Sequence, residues 1–266
     1  MKKLIIFITA ISIFTFCKKK NETPALVPAP VNATPVNTSL QNGLGNYTNS
    51  LHGVMQAEKL TIPSFSITSY ESRAAFNSIT QPYSFYYMLG GIFATTGVNS
   101  GVLKLNSTTL IYDLTTPNEM NRYKDTVSSR NYSVGATWDL TANNNLSSFS
   151  VNIARGFPSI TNPNYLPNTI SKASGFTINF GATNYSNTDS IIVFLAGGTG
   201  TTSYPYKHIS GNATSVTYSS AELNNVGTGS GQIIVYGINY SNMTVNSKNY
   251  LYIMQYDVIN FITINP

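Results

Sequence analysis

The chain has few charged residues for its length. Asp, Glu, Lys and Arg make up 9% of its 266 residues, against roughly 25% in an ordinary soluble domain. Asn, Thr, Ser, Tyr and Gly supply polarity instead. Hydroxyl and amide side chains solvate strands and turns without a strong electrostatic field. This composition is typical of an exported β-rich protein.

A basic patch for nucleic acid is also lacking. The formal net charge of +5 comes from the N-terminus, where Lys2, Lys3 and the run 18–20 hold five of the 15 basic residues. Residues 21–266 carry ten basic and ten acidic side chains. They contain no Lys/Arg cluster with interleaved aromatic residues, so we expect no nucleic-acid partner.

Cysteine and histidine are scarce as well. The single cysteine, Cys17, has no partner for an intramolecular disulfide. His52 and His208 do not have zinc-site spacing, and neither a calcium loop nor a Gly-x-Ser-x-Gly elbow is present. The sequence therefore indicates no metal and no cofactor. This inventory favours a non-enzymatic role.

The N-terminus has the layout of an export signal. Lys2 and Lys3 precede a mostly apolar run from Leu4 to Phe16, which matches the n-region and h-region of a secretory signal. A transmembrane helix needs about 20 apolar residues, and this run is shorter. We predict that residues 1–17 are a signal segment and not part of the fold.

The end of this segment resembles a known signal. The stretch Phe14-Thr15-Phe16-Cys17 followed by three lysines resembles the lipobox of Bacteroidota-type bacterial lipoproteins, although Phe16 stands where a small residue is usual. The resemblance implies that Cys17 carries lipid and anchors the protein in the cell envelope, at the periplasmic or surface face of the outer membrane. Two or more acyl chains anchor stably, whereas one holds marginally. The alternative is a plain secretory signal with an incidental cysteine.

Residues 18–44 have the composition of a linker. Four prolines lie among Thr, Asn, Ala and Val without strand or helix periodicity. We expect a disordered tether, in which residues 21–44, at about 3.1 Å each, reach at most roughly 70 Å when fully extended.

The remaining chain has the pattern of an all-β protein. Short apolar and aromatic runs alternate with Gly, Asn, Ser and Pro. In one run Phe149, Val151 and Ile153 alternate with polar residues, which is typical of a strand with one buried face. We predict one or two antiparallel β-sandwich modules.

Two prolines suggest where the chain divides. Pro158 and Pro163 interrupt any continuous strand, so we predict modules at 45–162 and 163–266. In the second module, an Ala-Glu-Leu turn before a Gly-rich step resembles an immunoglobulin or fibronectin type III-like module, without a Cys-Trp-Cys framework. A single larger sandwich is the alternative.

Aromatic residues are the main candidates for ligand binding, with 18 Tyr, 13 Phe and one Trp. Tyr204 and Tyr206 flank Pro205 in a predicted loop, His208 follows, and Trp138 is unique. Exposed rings stack on sugars while their polar ends form hydrogen bonds. The alternative is packing in the core, which β propensity favours for Trp138.

Two short motifs suggest modification. Asp125-Thr126-Val127 and Asp189-Ser190-Ile191 resemble the O-glycosylation sites of proteins exported by Bacteroidota-type cells, which implies glycans on Thr126 and Ser190. The alternative is a polar residue that opens a strand.

These features together predict a lipid-anchored cell-envelope protein with a binding or scaffolding role. Its partners would be the membrane, through the N-terminal lipid, and a glycan or protein ligand. One alternative is an envelope hydrolase with a site between the two modules, using His208 with Asp189 or Asp257. Another is a structural protein that self-associates, and the oligomeric state stays open.

Overall fold

The structure is a computed structural model that describes residues 31–32, 46–76, 83–88, 91–94, 98–113, 122–125, 135–143, 146–181 and 185–266. Within these residues the fold is all-β, with two 3-10 turns at Pro63–Phe65 and Pro163–Tyr165 and no α-helix. The strands, in chain order, are β1 (Val31–Asn32), β2 (Asn46–Ile62), β3 (Ile67–Phe76), β4 (Tyr83–Met88), β5 (Gly91–Ala94), β6 (Gly101–Leu105), β7 (Thr108–Thr109), β8 (Ile111–Asp113), β9 (Arg122–Lys124), β10 (Ala136–Ala142), β11 (Phe149–Ile153), β12 (Ser159–Ile160), β13 (Thr169–Ser171), β14 (Phe176–Asn179), β15 (Tyr185–Ser186), β16 (Ser190–Thr199), β17 (Tyr206–Ser210), β18 (Ser215–Tyr218), β19 (Thr228–Val245) and β20 (Lys248–Asn265).

One large mixed sheet organises the molecule. Its main path runs β17-β16-β19-β20-β2-β3-β9-β8, and β4, β5 and β13 are attached to it. β2 and β13 run parallel to β20, whereas the other neighbours along the path are antiparallel. A smaller sheet of order β1-β11-β10-β6-β7 and two two-stranded sheets complete the described structure. No helix in this part of the chain is both long and apolar enough to span a membrane.

A long hairpin forms the centre of the large sheet. β19 and β20 pair from Gly229 to Val245, and the two-residue turn between them is Asn246-Ser247. Both turn residues have positive φ, 49° and 63°, as a type I′ turn requires. β20 is buried without a break from Tyr250 to Val258, because both of its faces are covered.

One face of the large sheet carries two hydrophobic cores. The first core lies against the smaller sheet, whose side chains pack on Met55, Tyr250 and Tyr252. The second lies towards the other end of β19 and β20, beneath the two-stranded sheet of β14 and β18. In this second core the Tyr218 hydroxyl donates a hydrogen bond to the Val193 carbonyl at 2.8 Å. The arrangement is sandwich-like over both cores.

The opposite face of the large sheet carries a third apolar cluster. Its members alternate in sequence with the residues of the other two cores. They are Val54, Ala75, Ile192, Phe194, Ile234, Tyr236, Ile238, Leu251 and Ile253. The sheet therefore has apolar side chains on both sides.

Two features of the sheets cross the segment boundaries predicted from the sequence. Within the predicted linker, Val31–Asn32 forms β1, which pairs in parallel with β11. Strands from 45–162 and from 163–266 share the large sheet, since β2 pairs with β20. The two ranges are thus joined by backbone hydrogen bonds.

Candidate functional site

Exposed aromatic rings gather at one end of the large sheet, on the face that carries the third cluster. Phe65, Tyr204, Tyr206 and Phe261 are between 47% and 60% exposed. Tyr206 pairs with Phe194 in register, so its side chain lies on the same face as that ring. We call these five residues, Phe65, Phe194, Tyr204, Tyr206 and Phe261, the aromatic face.

Ring contacts hold this surface at its two sides. Tyr204 stacks on Phe194 with centroids 6.0 Å apart and planes inclined by 29°. On the other side of the face, the ring of Phe65 contacts the ring of Phe261 edge-on, with centroids 5.5 Å apart. Such pairs contribute about 0.5–1.5 kcal/mol beyond the area they bury, so the rings of Phe65, Tyr204 and Phe261 have preferred orientations before any ligand arrives.

The loop that bears Tyr204 is fixed by the backbone. Thr202 N–H donates to the Asn225 carbonyl at 2.9 Å, and Leu195 N–H donates to the Pro205 carbonyl at 3.1 Å. Near the end of β16, just before the loop, Gly198 has φ +87°, and an added Cβ would lie 2.4 Å from the Gly227 carbonyl oxygen. Glycine is therefore required where the two Gly-rich segments touch.

The surface between the rings is neutral. The row from Tyr206 continues through Phe194 and Ile234 to Ile259, and the next row contains Ala196, Gln232 and Phe261. No charged side chain occurs in these two rows of described strands. The strand rows between the exposed rings thus carry no charge that would favour a charged ligand.

A buried carboxyl pair lies farther along the same face. Asp257 is 3% exposed, and burial followed by the Glu58 carboxyl, which also hydrogen-bonds to it, raises its pKa well above the usual range. Asp257 Oδ1 is buried and lacks an ordinary donor among the described residues. A proton on one of the two carboxyl groups supplies that donor, because a protonated carboxyl donates a hydrogen bond.

Amides and an arginine surround this pair. Gln255 Nε2 donates to Asp257 Oδ2 at 2.8 Å, and Gln56 Nε2 donates to Gln255 Oε1 at 3.0 Å. Arg73 lies 3.6 Å from Glu58 Oε2 and donates through Nε to Glu71 at 2.7 Å. These contacts hold the carboxyl pair within the sheet and away from solvent.

His208 contacts Ser190. His208 Nε2 and Ser190 Oγ are 3.0 Å apart, and partial burial lowers the pKa of the imidazole, which favours its neutral, basic form. Ser190 is only 5% exposed on β16. A glycan on Ser190, as the short motif implies, would need its Oγ to reach solvent.

The predicted carboxylate partners lie elsewhere. Asp257 is in the same row as His208, but Ile192 and Tyr236 lie between them, a separation of about 14 Å at about 4.8 Å per strand. Asp189 forms an ion pair with Arg155 at 2.5 Å and accepts from the Tyr240 N–H at 3.0 Å. Neither arrangement assembles a Ser-His-acid triad.

Trp138 is part of the first core. It is 1% exposed on β10, between Leu105 and Val151 in register. Its ring is therefore not available as a surface platform, and its size fills the core between the sheets. Cys17 and Thr126 lie outside the described residues. Among the residues described, no group of His, Cys, Asp or Glu is arranged to hold a metal ion.

Two residues of the aromatic face, Phe65 and Phe261, were not predicted from the sequence. Phe261 lies in the end of β20, where exposed and buried residues alternate from Phe261 to Asn265, and that alternation marks it as outward. Phe65 has no such signal, because only the 3-10 turn brings it to Phe261.

Comparison with known proteins adds no family or relative, since no protein-family model and no curated protein matches this chain.

Proposed function

We propose that this protein is a lipid-anchored cell-envelope protein that binds an extended, uncharged glycan on the aromatic face. The observation that carries the proposal is the placement of four half-exposed rings on one face of one sheet end. Pyranose rings present flat patches of C–H bonds that stack on aromatic rings, and their hydroxyls hydrogen-bond to groups at the rim.

The size of the surface favours a glycan over a protein. A buried aromatic side chain covers about 150–250 Å², so four half-exposed rings offer roughly 400 Å², against roughly 800 Å² per side in a stable protein interface. An exposed apolar patch of a few hundred Å² is often functional in a monomer. A chain of a few sugar units matches this area.

Neutral surroundings support the same ligand class. The described rows between Tyr206 and Phe261 contain only aliphatic, aromatic and amide side chains. Electrostatic steering of an acidic polymer needs a basic surface, and this surface has none in those rows. The ligand is therefore expected to be uncharged.

The envelope location rests on the sequence. The signal-like residues 1–16, Cys17 and the Pro-rich stretch to residue 44 support an anchor followed by a tether. A tethered binding face can reach polymers beyond the membrane surface.

A hydrolase is the second candidate. The hydrogen bond between His208 and Ser190 favours it, because a base next to a hydroxyl is the first element of nucleophilic catalysis. The burial of Ser190 and the distance to Asp257 reduce its support. Hydrolytic activity that disappears in His208→Ala would establish it in place of pure binding.

The test is a binding screen with the whole chain, purified in detergent. We expect retention on at least one neutral polysaccharide, and loss of retention when Tyr206→Ala and Phe261→Ala are combined. The matched control is Val102→Ala with Ile111→Ala, since both are large, exposed and away from the aromatic face. Failure of every neutral glycan to bind would refute the proposal.

A further inference from the structure

A gap interrupts the strands that pair along one edge of β20. β2 pairs in parallel with β20 as far as Thr61 opposite Val258. β13 then takes the same edge, beginning with Thr169 opposite Thr263. Residues 259–262 lie between these ladders, and no described strand pairs with them on that side.

A groove of about 270 Å³ occupies this gap. Its lining contains three asparagines, two prolines, a serine and a leucine, and no charged side chain. The lining residues are Pro63, Ser64, Pro163, Asn164, Leu166, Asn168 and Asn260. Sites for drug-sized ligands measure about 300–1,000 Å³, so this groove suits a smaller, uncharged and polar molecule.

Two amides give the groove a fixed hydrogen-bonding pattern. Asn260 is 5% exposed, and its Nδ2 donates to the Pro167 carbonyl at 3.0 Å and to Asn168 Oδ1 at 3.1 Å. Asn260 Oδ1 and Asn168 Nδ2 make no hydrogen bond to any described residue. The groove therefore offers a neighbouring acceptor and donor whose orientation is already set.

This pair complements two adjacent hydroxyl groups. Each hydroxyl is both a donor and an acceptor, so one can donate to Asn260 Oδ1 while the next accepts from Asn168 Nδ2. An amino or carboxylate ligand would instead require an opposite charge in the lining. A neutral sugar has adjacent hydroxyls and a ring of suitable size.

The walls of the groove are stiff. Pro63 and Pro163 each begin a 3-10 turn and fix the backbone φ there. Ser66 N–H donates to the Pro63 carbonyl at 3.1 Å, and Asn162 Oδ1 accepts from the Asn164 N–H at 2.9 Å. Walls that are ordered before binding reduce the entropy lost on binding.

We propose that this groove is a binding site for a single neutral sugar unit, recognised through two adjacent hydroxyls by Asn168 and Asn260. The site stands independently of the aromatic face, because it has its own lining and its own polar groups. Asn260 and Phe261 are consecutive in β20, so their side chains lie on opposite faces of the sheet. The groove and the aromatic face are therefore separate sites.

The experiment is ligand-observed saturation-transfer NMR on the whole chain in detergent, with glucose, galactose, mannose and N-acetylglucosamine as probes. We expect at least one sugar to bind with a millimolar dissociation constant, since a monosaccharide has few atoms in contact. Asn168→Ala should weaken it about tenfold, which corresponds to about 1.4 kcal/mol. Asn179→Ala, an exposed asparagine on β14, is the matched control and should bind as the wild type does.

Two further variants keep the test decisive. Ser64 is exposed, so Ser64→Trp should fill the groove and abolish binding while the thermal midpoint is unchanged. Tyr206→Ala should leave monosaccharide binding intact, which separates this site from the aromatic face. The proposal is overturned if none of the four sugars shows saturation transfer from the protein, or if the Ser64→Trp variant binds the sugars as the wild type does.

Discussion

The ring of Tyr204 lies over the ring of Phe194, with centroids 6.0 Å apart. Phe194 is 8% exposed and belongs to the third cluster, whereas Tyr204 is 54% exposed. The contact therefore attaches an exposed loop ring to the buried part of the sheet. It orients one side of the aromatic face.

This contact leads to a prediction about Phe194. Phe194→Ala should weaken glycan binding several-fold, because Tyr204 loses the ring on which it stacks. The same change should lower the free energy of unfolding by at most about 5 kcal/mol, as for other Phe-to-Ala changes in a core. Binding is compared with that of Ile192→Ala, which changes a buried core residue of the same strand and removes no aromatic ring. Equal loss of binding in both variants would show that the effect is general destabilisation.

The carboxyl pair predicts an unusual pH dependence of stability. The pKa of Asp257 is raised from 3.8 by burial and by Glu58, so its stabilising contribution is complete below its ordinary pKa and is lost as pH rises through the raised value. The slope in that window is up to about 1.4 kcal/mol per pH unit. Asp257→Asn should remove this slope, since the amide can donate to Glu58 and still accept from Gln255.

Urea unfolding of wild type and Asp257→Asn between pH 4 and pH 8 measures this effect. Glu222 is a useful contrast, because the hydrogen bonds from Lys207 and Ser219 lower its pKa to about 2. Its contribution is present above its ordinary pKa and is lost as pH falls towards 2. Glu222→Gln should therefore leave the slope above pH 5 unchanged. A parallel pH profile for wild type and Asp257→Asn would mean that the carboxyl pair shares no proton.

Trp138 should affect stability and not binding. Its side chain is fully buried between β6 and β11, so Trp138→Ala should lower the free energy of unfolding by about 3–5 kcal/mol. Trp138→Phe should cost less and should leave glycan binding unchanged. A loss of binding in a well-folded Trp138→Phe variant would show that Trp138 takes part in ligand binding.

Lipid attachment is tested at Cys17. In a host that processes lipoproteins, the wild type should gain acyl mass and partition into detergent, and Cys17→Ala should do neither. A cleaved, soluble wild type without acyl mass would instead identify a plain secretory signal.

Local patterns predicted much of the fold. The alternation of Phe149, Val151 and Ile153 correctly predicts β11, and the apolar run Ile191–Leu195 lies in β16. β2 was not predicted, because Asn46–Ile62 includes Gly53, Glu58 and Lys59 and has no clean alternation. Its partner β20 lies about 200 positions later, and such pairing leaves no local signal in a single sequence.

Only part of the candidate site could be predicted, because contacts between distant strands leave no local signal. Tyr204 and Tyr206 stand together in the sequence, and both are exposed. Phe65 and Phe261 meet only because β2 and β20 are neighbours in the sheet. The hydrogen bond between Ser190 and His208 likewise depends on the register of β16 and β17.

The most direct test of the account is calorimetric titration of the best glycan from the screen against a variant in which Phe65, Tyr204, Tyr206 and Phe261 are all changed to Ser. The comparison variant is Val102→Ser with Ile111→Ser, which removes exposed apolar groups elsewhere. The account predicts at least a tenfold loss of affinity in the first variant, about 1.4 kcal/mol or more, and none in the second. Unchanged affinity in the first variant, with both proteins folded, would contradict the claim that the aromatic face binds glycan.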